Sequence, residues 1–430
     1  MPDSIASNLE KLTSSANRIL LLQGPLGDFF YQFAQWLKKQ GKTVFKINFN
    51  YGDEVFYPAT TPDTFGYQGT HQTFDTFLND FISRHQIDAL VCFGDTRPYH
   101  LIAKELADHT ENLSFWAFEE GYFRPFYITL EEQGVNDYSP LPRKVDFFKQ
   151  AYPKLKEQNY HEPPSVPGGF LPMARAAIIY YAAANLFKRK YPNYIHHRHF
   201  DIGHYIRSWT LSGFKRANYW FKDHKFAEQV KSGKFGRFYI LPLQVFNDSQ
   251  VRVHSDFSSV RNFLYHVLDS FALHAPKDVT LIVKHHPMDR GFIDYQKDIK
   301  KFLKKHPERR NKIFYVRDVP LPVLLRYGIG MITINSTSGL SALIHNMPVK
   351  IMGRASYDIP GITDQNKLAD FWKNPQKPNA EYFHAYRMYH INVTQINGSF
   401  YSRVNLPDHI THTISENHTT CHAPVETAAD

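Results

Sequence analysis

Two adjacent acids, Glu119 and Glu120, close the apolar run "LSFWAFEEG". A carboxylate at a strand end facing a cleft can serve as a general base or a nucleophile, and a like-charged neighbour tunes its pKa. The plainer alternative is a solvated strand end with both acids in water. Gly121 and the following "YFRP" favour chemistry, because Arg124 can pair with an acid or bind a carboxylate ligand.

Other polar groups recur where apolar runs stop. In "KHHPMDRG", residues 284–291, Pro287 ends a strand and presents His286, which can donate to a phosphate or act as an acid. A histidine-rich surface loop would read the same way. "TINSTSGLSAL", residues 333–343, places Asn335, Ser336, Thr337 and Ser338 between a strand and a helix, where hydroxyls and free backbone N–H groups favour an anion. N-capping alone would use one of those hydroxyls. No Lys follows the glycine, so this is not a P-loop. The loop of Gln244, Asn247, Asp248, Ser249 and Gln250 can read a nucleobase or sugar edge, or be ordinary turn chemistry. In "GPLGDFF" and "NFNYGDEVF", Gly24 and Gly27 let a ligand approach the backbone, and Asp28 or Asp53 can meet hydroxyls. The dinucleotide fingerprint G-x-G-x-x-G is absent there.

These groups need elements to hold them. In the first third, strand-like runs ("RILLLQ", "TVFKINF", "IDALVCFG", "LSFWAFEEG") alternate with helical patterns, one of which ends at Gly41. From about residue 235 the alternation resumes, with strands in "GRFYILPLQ", "VTLIVKHHP", "KIFYVRD", "GMITIN" and "PVKIMG". Strands alternating with helices predict parallel sheets covered on both faces. We therefore expect an α/β protein of two doubly wound, Rossmann-like halves with ligands at strand C-termini facing a shared cleft. The expected divisions are 1–140, a helical, basic and aromatic segment 141–234, a second half 235–375, crossover helices 376–414 and a disordered tail 415–430.

With 430 residues and 43% hydrophobic content the chain can bury two cores. Its net charge of +9 is concentrated: residues 186–237 hold twelve Lys or Arg against three acids, which predicts an anionic partner. No nucleic-acid-binding module accompanies that charge. Cys92 and Cys421 are the only cysteines and lie far apart, which suits a reducing compartment and excludes a disulfide framework. The N-terminus is not a secretory signal, and the longest weakly polar run, 176–187, is too short to span a bilayer. A cytoplasmic protein that touches a membrane is expected. There is no D-x-D or H-E-x-x-H; the "HHRH" run at 196–199 is a weak metal signal, and metal-free chemistry is favoured.

The order Glu-Glu-Gly, His286-Pro287, then Ser336-Thr337-Ser338 resembles the acidic, His-Pro and Ser-Ser/Thr signature of bacterial sialyltransferases and other CMP-sugar enzymes. With "RILLLQGPLGDFFYQFAQWLKKQGKTVFKINFNYGDEVFYP", "FEEGYFRPFYITLEEQGVN" and "LPLQVFNDSQV", the chain resembles the KpsS/LipB-type capsule polysaccharide proteins of Gram-negative bacteria over roughly residues 18–360. That resemblance implies a GT-B glycosyltransferase, free of cofactor and metal, that initiates a capsule linker. It would move β-Kdo from CMP-Kdo to a (lyso)phosphatidylglycerol acceptor at the cytoplasmic face of the inner membrane, beside a KpsC-type extending enzyme. Glu120, with Glu119 in support, then matches the catalytic acid, as base or as nucleophile. His286, the hydroxyl run and residues 244–249 would hold CMP, and Arg124 or Lys284 the Kdo carboxylate. Another CMP-sugar transferase and a non-catalytic assembly or export component are the alternatives.

Overall fold

The computed structural model describes residues 6–157, 162–167, 169–196 and 202–408, with the side chains of 202–206, 217, 218 and 220–222 outside that description. The expected disordered tail and three of the four residues of "HHRH" also lie outside it.

Twelve strands form two sheets among the described residues. The first half contains β1 (Arg18–Leu21), β2 (Thr43–Asn48), β3 (Thr64–Gly66), β4 (Ala89–Phe93), β5 (Ser114–Glu120) and β6 (Tyr127–Glu132). The second contains β7 (Phe238–Pro242), β8 (Thr280–Lys284), β9 (Ile313–Val316), β10 (Gly330–Thr333) and β11 (Val349–Ile351), and β12 (Gln395–Asn397) follows near the end. The sheet orders are β12-β6-β5-β4-β1-β2-β3 and β11-β10-β7-β8-β9. The second sheet is parallel throughout, and β5, β4, β1, β2 and β3 are parallel in the first.

Each sheet is apolar on both faces because helices cover both. On one face of the first, Phe29, Phe33 and Trp36 of the helix Phe29–Lys39 pack against Phe118 and Leu130; on the other, Leu78 and Ala103 pack against Leu90 and Phe115. A fully buried side chain of this size contributes about 1.5–3 kcal/mol, so "FWAF" reads as a continuous apolar run. Gly41 follows the helix Phe29–Lys39 with φ of 79°, the left-handed turn expected of it. Two α/β halves with a cleft between them constitute the GT-B arrangement.

Two features depart from the sequence-based expectation. First, the chain reverses after Glu120: β6 runs antiparallel to β5, pairing Glu119 with Thr129 and Glu120 with Ile128. Gly121 permits this turn, since a Cβ there would lie 2.1 Å from the Tyr127 carbonyl oxygen. β12 then pairs antiparallel with β6, returning residues 395–397 to the first sheet. Second, the segment 141–234 is not one body. Phe148 and Leu155 of the helix Val145–Leu155 join a core with Phe383 and Tyr386 of the helix Ala380–Thr394. The helix Phe170–Leu186 is carried on the first half, and Ala227 and Val230 of the helix Ile202–Lys231 pack into the second.

Candidate functional site

A cavity of about 1490 Å³ opens between the halves. Strand order reverses between β1 and β4 in one sheet and between β7 and β10 in the other, and a doubly wound sheet binds ligands at such points. Residues just beyond both, Gly24 and Gly94 on one side and Gln244 and Asn335 on the other, line this one cavity.

Glu119 and Glu120 reach the cavity from the end of β5. Glu119 Oε1 accepts a hydrogen bond from the Glu120 amide at 2.9 Å. Burial pushes the Glu119 carboxyl up to about 7; the amide opposes this, while the Glu120 and Asp95 carboxylates add to it. Glu120 Oε1 instead accepts from the Tyr401 phenol at 3.0 Å. The pair is thus one acid poised to exchange a proton near neutrality and one carboxylate held by a phenol. The two acids have different hydrogen-bond partners, the Glu120 amide for one and the Tyr401 phenol for the other.

Arg124 and His286 line the same space. Arg124 Nε donates to the Gly121 carbonyl at 3.3 Å, and its charge acts on both Glu119 and His286. His286 Nδ1 accepts from the Met288 amide at 3.2 Å, which leaves the proton on Nε2. Burial, then the Lys284 and Arg124 cations, lowers this imidazole to about 4. At neutral pH it is an uncharged hydrogen-bond donor, which matches the reading of His286 as a donor to a phosphate. Lys284 does not line the cavity: its buried ammonium lies 3.5 Å from the His285 carbonyl, in the field of Asp318 and Asp223. A carboxylate clamp at Lys284 is therefore corrected to a cation buried beneath the strand end. Pro287 begins the 3-10 turn Pro287–Asp289 and is likewise not at the cavity surface.

On the second half, Gln244 Nε2 donates to Asn335 Oδ1 at 3.0 Å and the Asn335 amide to Gln244 Oε1 at 3.3 Å. Asn335 Nδ2 is bonded to the Gln250 and His254 carbonyls. Asp248 caps the helix Ser249–Val253 through Gln250 N. Gln244, Asn335 and Asp248 thus line the cavity while also fixing the loop, so both the ligand-reading and the turn reading of this loop find support, and Asn247 lines the cavity beside them. Ser249 Oγ meets Thr96 Oγ1 of the first half at 3.4 Å, a contact between the halves. Ser336 and Thr337 face the cavity, whereas Ser338 Oγ is turned to Ser336 Oγ at 2.9 Å.

Gly24 lines the cavity, and a Cβ there would lie 2.8 Å from the Phe30 ring. Gly27 and Asp28 stand away from it: Gly27 turns with φ of 111° beside the Phe400 carbonyl, and exposed Asp28 accepts from Gln32 at 2.9 Å. Asp53 is buried and structural. It forms a capping box with Asn50 and accepts hydrogen bonds from the Phe49 amide at 2.8 Å and the Tyr180 phenol at 2.9 Å. The Asp28 and Asp53 expectations thus give way to a surface contact and to an anchor for the helix Phe170–Leu186. Gly52 strengthens that anchor, since a Cβ there would lie 2.7 Å from the Tyr180 carbonyl.

The capsule polysaccharide biosynthesis protein family matches residues 88–401. The chain belongs to that family. It is 61% identical to capsule polysaccharide modification protein LipB of Neisseria meningitidis serogroup B, over 94% of this chain and 96% of that one. It is 39% identical to capsule polysaccharide export protein KpsS of Escherichia coli, over 90% and 97%. Among solved structures it is similar to Thermosulfurimonas dismutans KpsC, a beta Kdo 2,7 transferase, with 12% identity, a TM-score of 0.41 and coverage of 85% and 88%.

Three features of this family member went unread in the sequence. Tyr401 arrives from the segment 376–414, expected only to hold crossover helices. Arg97 sits at the first switch point, and its one signal was its place after the strand "ALVCF". Phe170, Ile178 and Trp209 form an apolar wall to the cavity. Among the described residues no group of His, Cys, Asp or Glu could hold a metal ion, and no helix is long and apolar enough to cross a membrane.

Proposed function

We propose that this capsule polysaccharide biosynthesis protein is a β-Kdo glycosyltransferase that uses CMP-Kdo to place the first Kdo on a (lyso)phosphatidylglycerol acceptor. The observation that carries the reading is one cavity in which Glu119 and Glu120 of one half face His286, Ser336 and Thr337 of the other, with Arg124 acting on both sides. The second half would hold CMP through the His286 Nε2–H and the hydroxyls of Ser336 and Thr337. Arg124 would take the Kdo carboxylate. Glu120, held by Tyr401, would attack the anomeric carbon and displace CMP, and the acceptor hydroxyl, giving its proton to Glu119, would then displace Glu120 from the sugar with net retention. No metal or cofactor enters this scheme.

Exposed apolar residues support contact with an anionic bilayer. Leu186 is 78% exposed and is followed in the chain by exposed Lys188 and Arg189, while Leu171, also 78% exposed, stands at the other end of the same helix and Phe214, 76% exposed, on the helix Ile202–Lys231. The protein would act at the cytoplasmic face of the inner membrane and hand its product to a KpsC-type extender.

The test is incubation with CMP-Kdo and lysophosphatidylglycerol, followed by anomeric analysis of the product. The reading expects a single β-Kdo on the lipid, lost in E119Q and E120Q variants that remain folded. Consumption of CMP-Neu5Ac alone would point to a sialyltransferase. Normal capsule assembly by both variants would point to a non-catalytic role.

A further inference from the structure

The first switch point holds a cation that none of these roles uses. Arg97 Nη1 donates to the Gly24 carbonyl at 3.2 Å, tying the end of β4 to the end of β1, and the guanidinium lies 5.2 Å from the centroid of the Phe93 ring. Among the described residues the guanidinium has no carboxylate within ion-pair distance. A guanidinium carries five N–H donors in a planar fork, so Nε and Nη2 remain available. Arg97 is half-buried and lines the cavity. A half-buried cation that faces a cleft with donors to spare is placed to meet an anion.

The neighbouring groups divide the labour between the two arginines of the cleft. Arg124 acts on Glu119 and on His286, across toward the second half. Arg97 acts on His100, Tyr180 and Tyr194, all on the first half or on the segment anchored to it. Glycine at 24 and 94 leaves backbone bare on either side of Arg97, and Gly94 has φ of 71°, the left-handed region. Phe170 and Ile178 continue the wall beyond them. A charged group with bare backbone around it and an apolar surface next to it fits the head of an amphipathic molecule.

We propose that Arg97 is an anion-binding residue of the first half that grips a phosphate mono- or diester of the acceptor, separately from the nucleotide phosphate. This rests on the transferase reading for the word acceptor, but its test needs no turnover. Binding of sn-glycerol 3-phosphate and of CMP to the full chain is measured by calorimetry for wild type, R97Q, R97K and R124Q. Loss of a charge-assisted, bidentate contact corresponds to about 10- to 100-fold in affinity. R97Q is expected to lose that much for glycerol 3-phosphate and to keep CMP binding within about twofold. R97K, which keeps charge without the fork, should fall between wild type and R97Q. It also serves as the readout if R97Q does not fold, because an unchanged R97K affinity would then overturn the proposal. R124Q should retain glycerol 3-phosphate binding. The proposal is overturned if wild type does not bind glycerol 3-phosphate, if R97Q binds it like wild type, or if R97Q loses CMP in equal measure, which would move Arg97 to the donor. Failure to transfer Kdo in the separate activity assay would sink the transferase reading while leaving this binding result intact.

Discussion

The Tyr401 phenol donates a 3.0 Å hydrogen bond to Glu120 Oε1, joining residues 281 positions apart. The β12 crossing makes this contact: after the helix Ala380–Thr394 the chain pairs with β6 and places Tyr401 against the end of β5. Burial, and then the Glu120 and Glu119 carboxylates, push the phenol far above its usual range, so it stays protonated as a donor. Removing the hydroxyl in Y401F should cost about 1.5–3 kcal/mol of orientation and charge stabilisation at Glu120, or roughly 10- to 100-fold in kcat. KM for CMP-Kdo should change little. Steady-state kinetics decide it: an effect confined to KM would mean that Tyr401 binds substrate and does not position the acid.

Glu119 predicts the pH response. Its folded carboxyl titrates near 7, above the ordinary 4.5, so the folded chain retains a proton that the unfolded chain releases between those values. Stability from this group is therefore present at low pH and falls as pH rises through that window. E119Q should melt increasingly above wild type between pH 5 and pH 8. If Glu119 relays the acceptor proton as a base, kcat of wild type should rise with an apparent pKa near 7. Matched melting curves at the two pH values, showing no widening gap, would remove the basis for both statements.

Asp53 should matter for architecture. D53A removes a helix cap and the acceptor for Tyr180, each worth about 1 kcal/mol or more. The expected result is a lower melting temperature with faster proteolysis in the Phe170–Leu186 helix, while calorimetric CMP affinity stays near wild type. Were Asp53 a ligand to sugar hydroxyls, substrate affinity would drop in a fully stable protein.

Leu171 and Leu186 are placed to test membrane contact. Changing both to Glu should reduce co-sedimentation with phosphatidylglycerol-containing vesicles. Wild-type binding should weaken as salt increases, because Lys188 and Arg189 act through a screened field. Equal sedimentation of wild type and the double variant would assign these side chains elsewhere.

Sequence alone determined the two α/β halves and the positions of Glu119, Glu120, His286 and Ser336 at strand ends, because strand and helix signals are local. An apolar run stops where Gly, Pro or a hydroxyl interrupts it, and that information lies within a few residues. It did not separate Asp53 from a ligand, Lys284 from a clamp, or the free Asn247 from the amides that lock Gln244 to Asn335. Those outcomes depend on which distant segment packs over each group: Tyr180 over Asp53, the second core around Lys284, and β10 beside β7. Nor did it join Tyr401 to Glu120 or leave Arg97 unpaired in the cleft. The tertiary structure decided these, since burial and partner choice belong to contacts made across hundreds of residues.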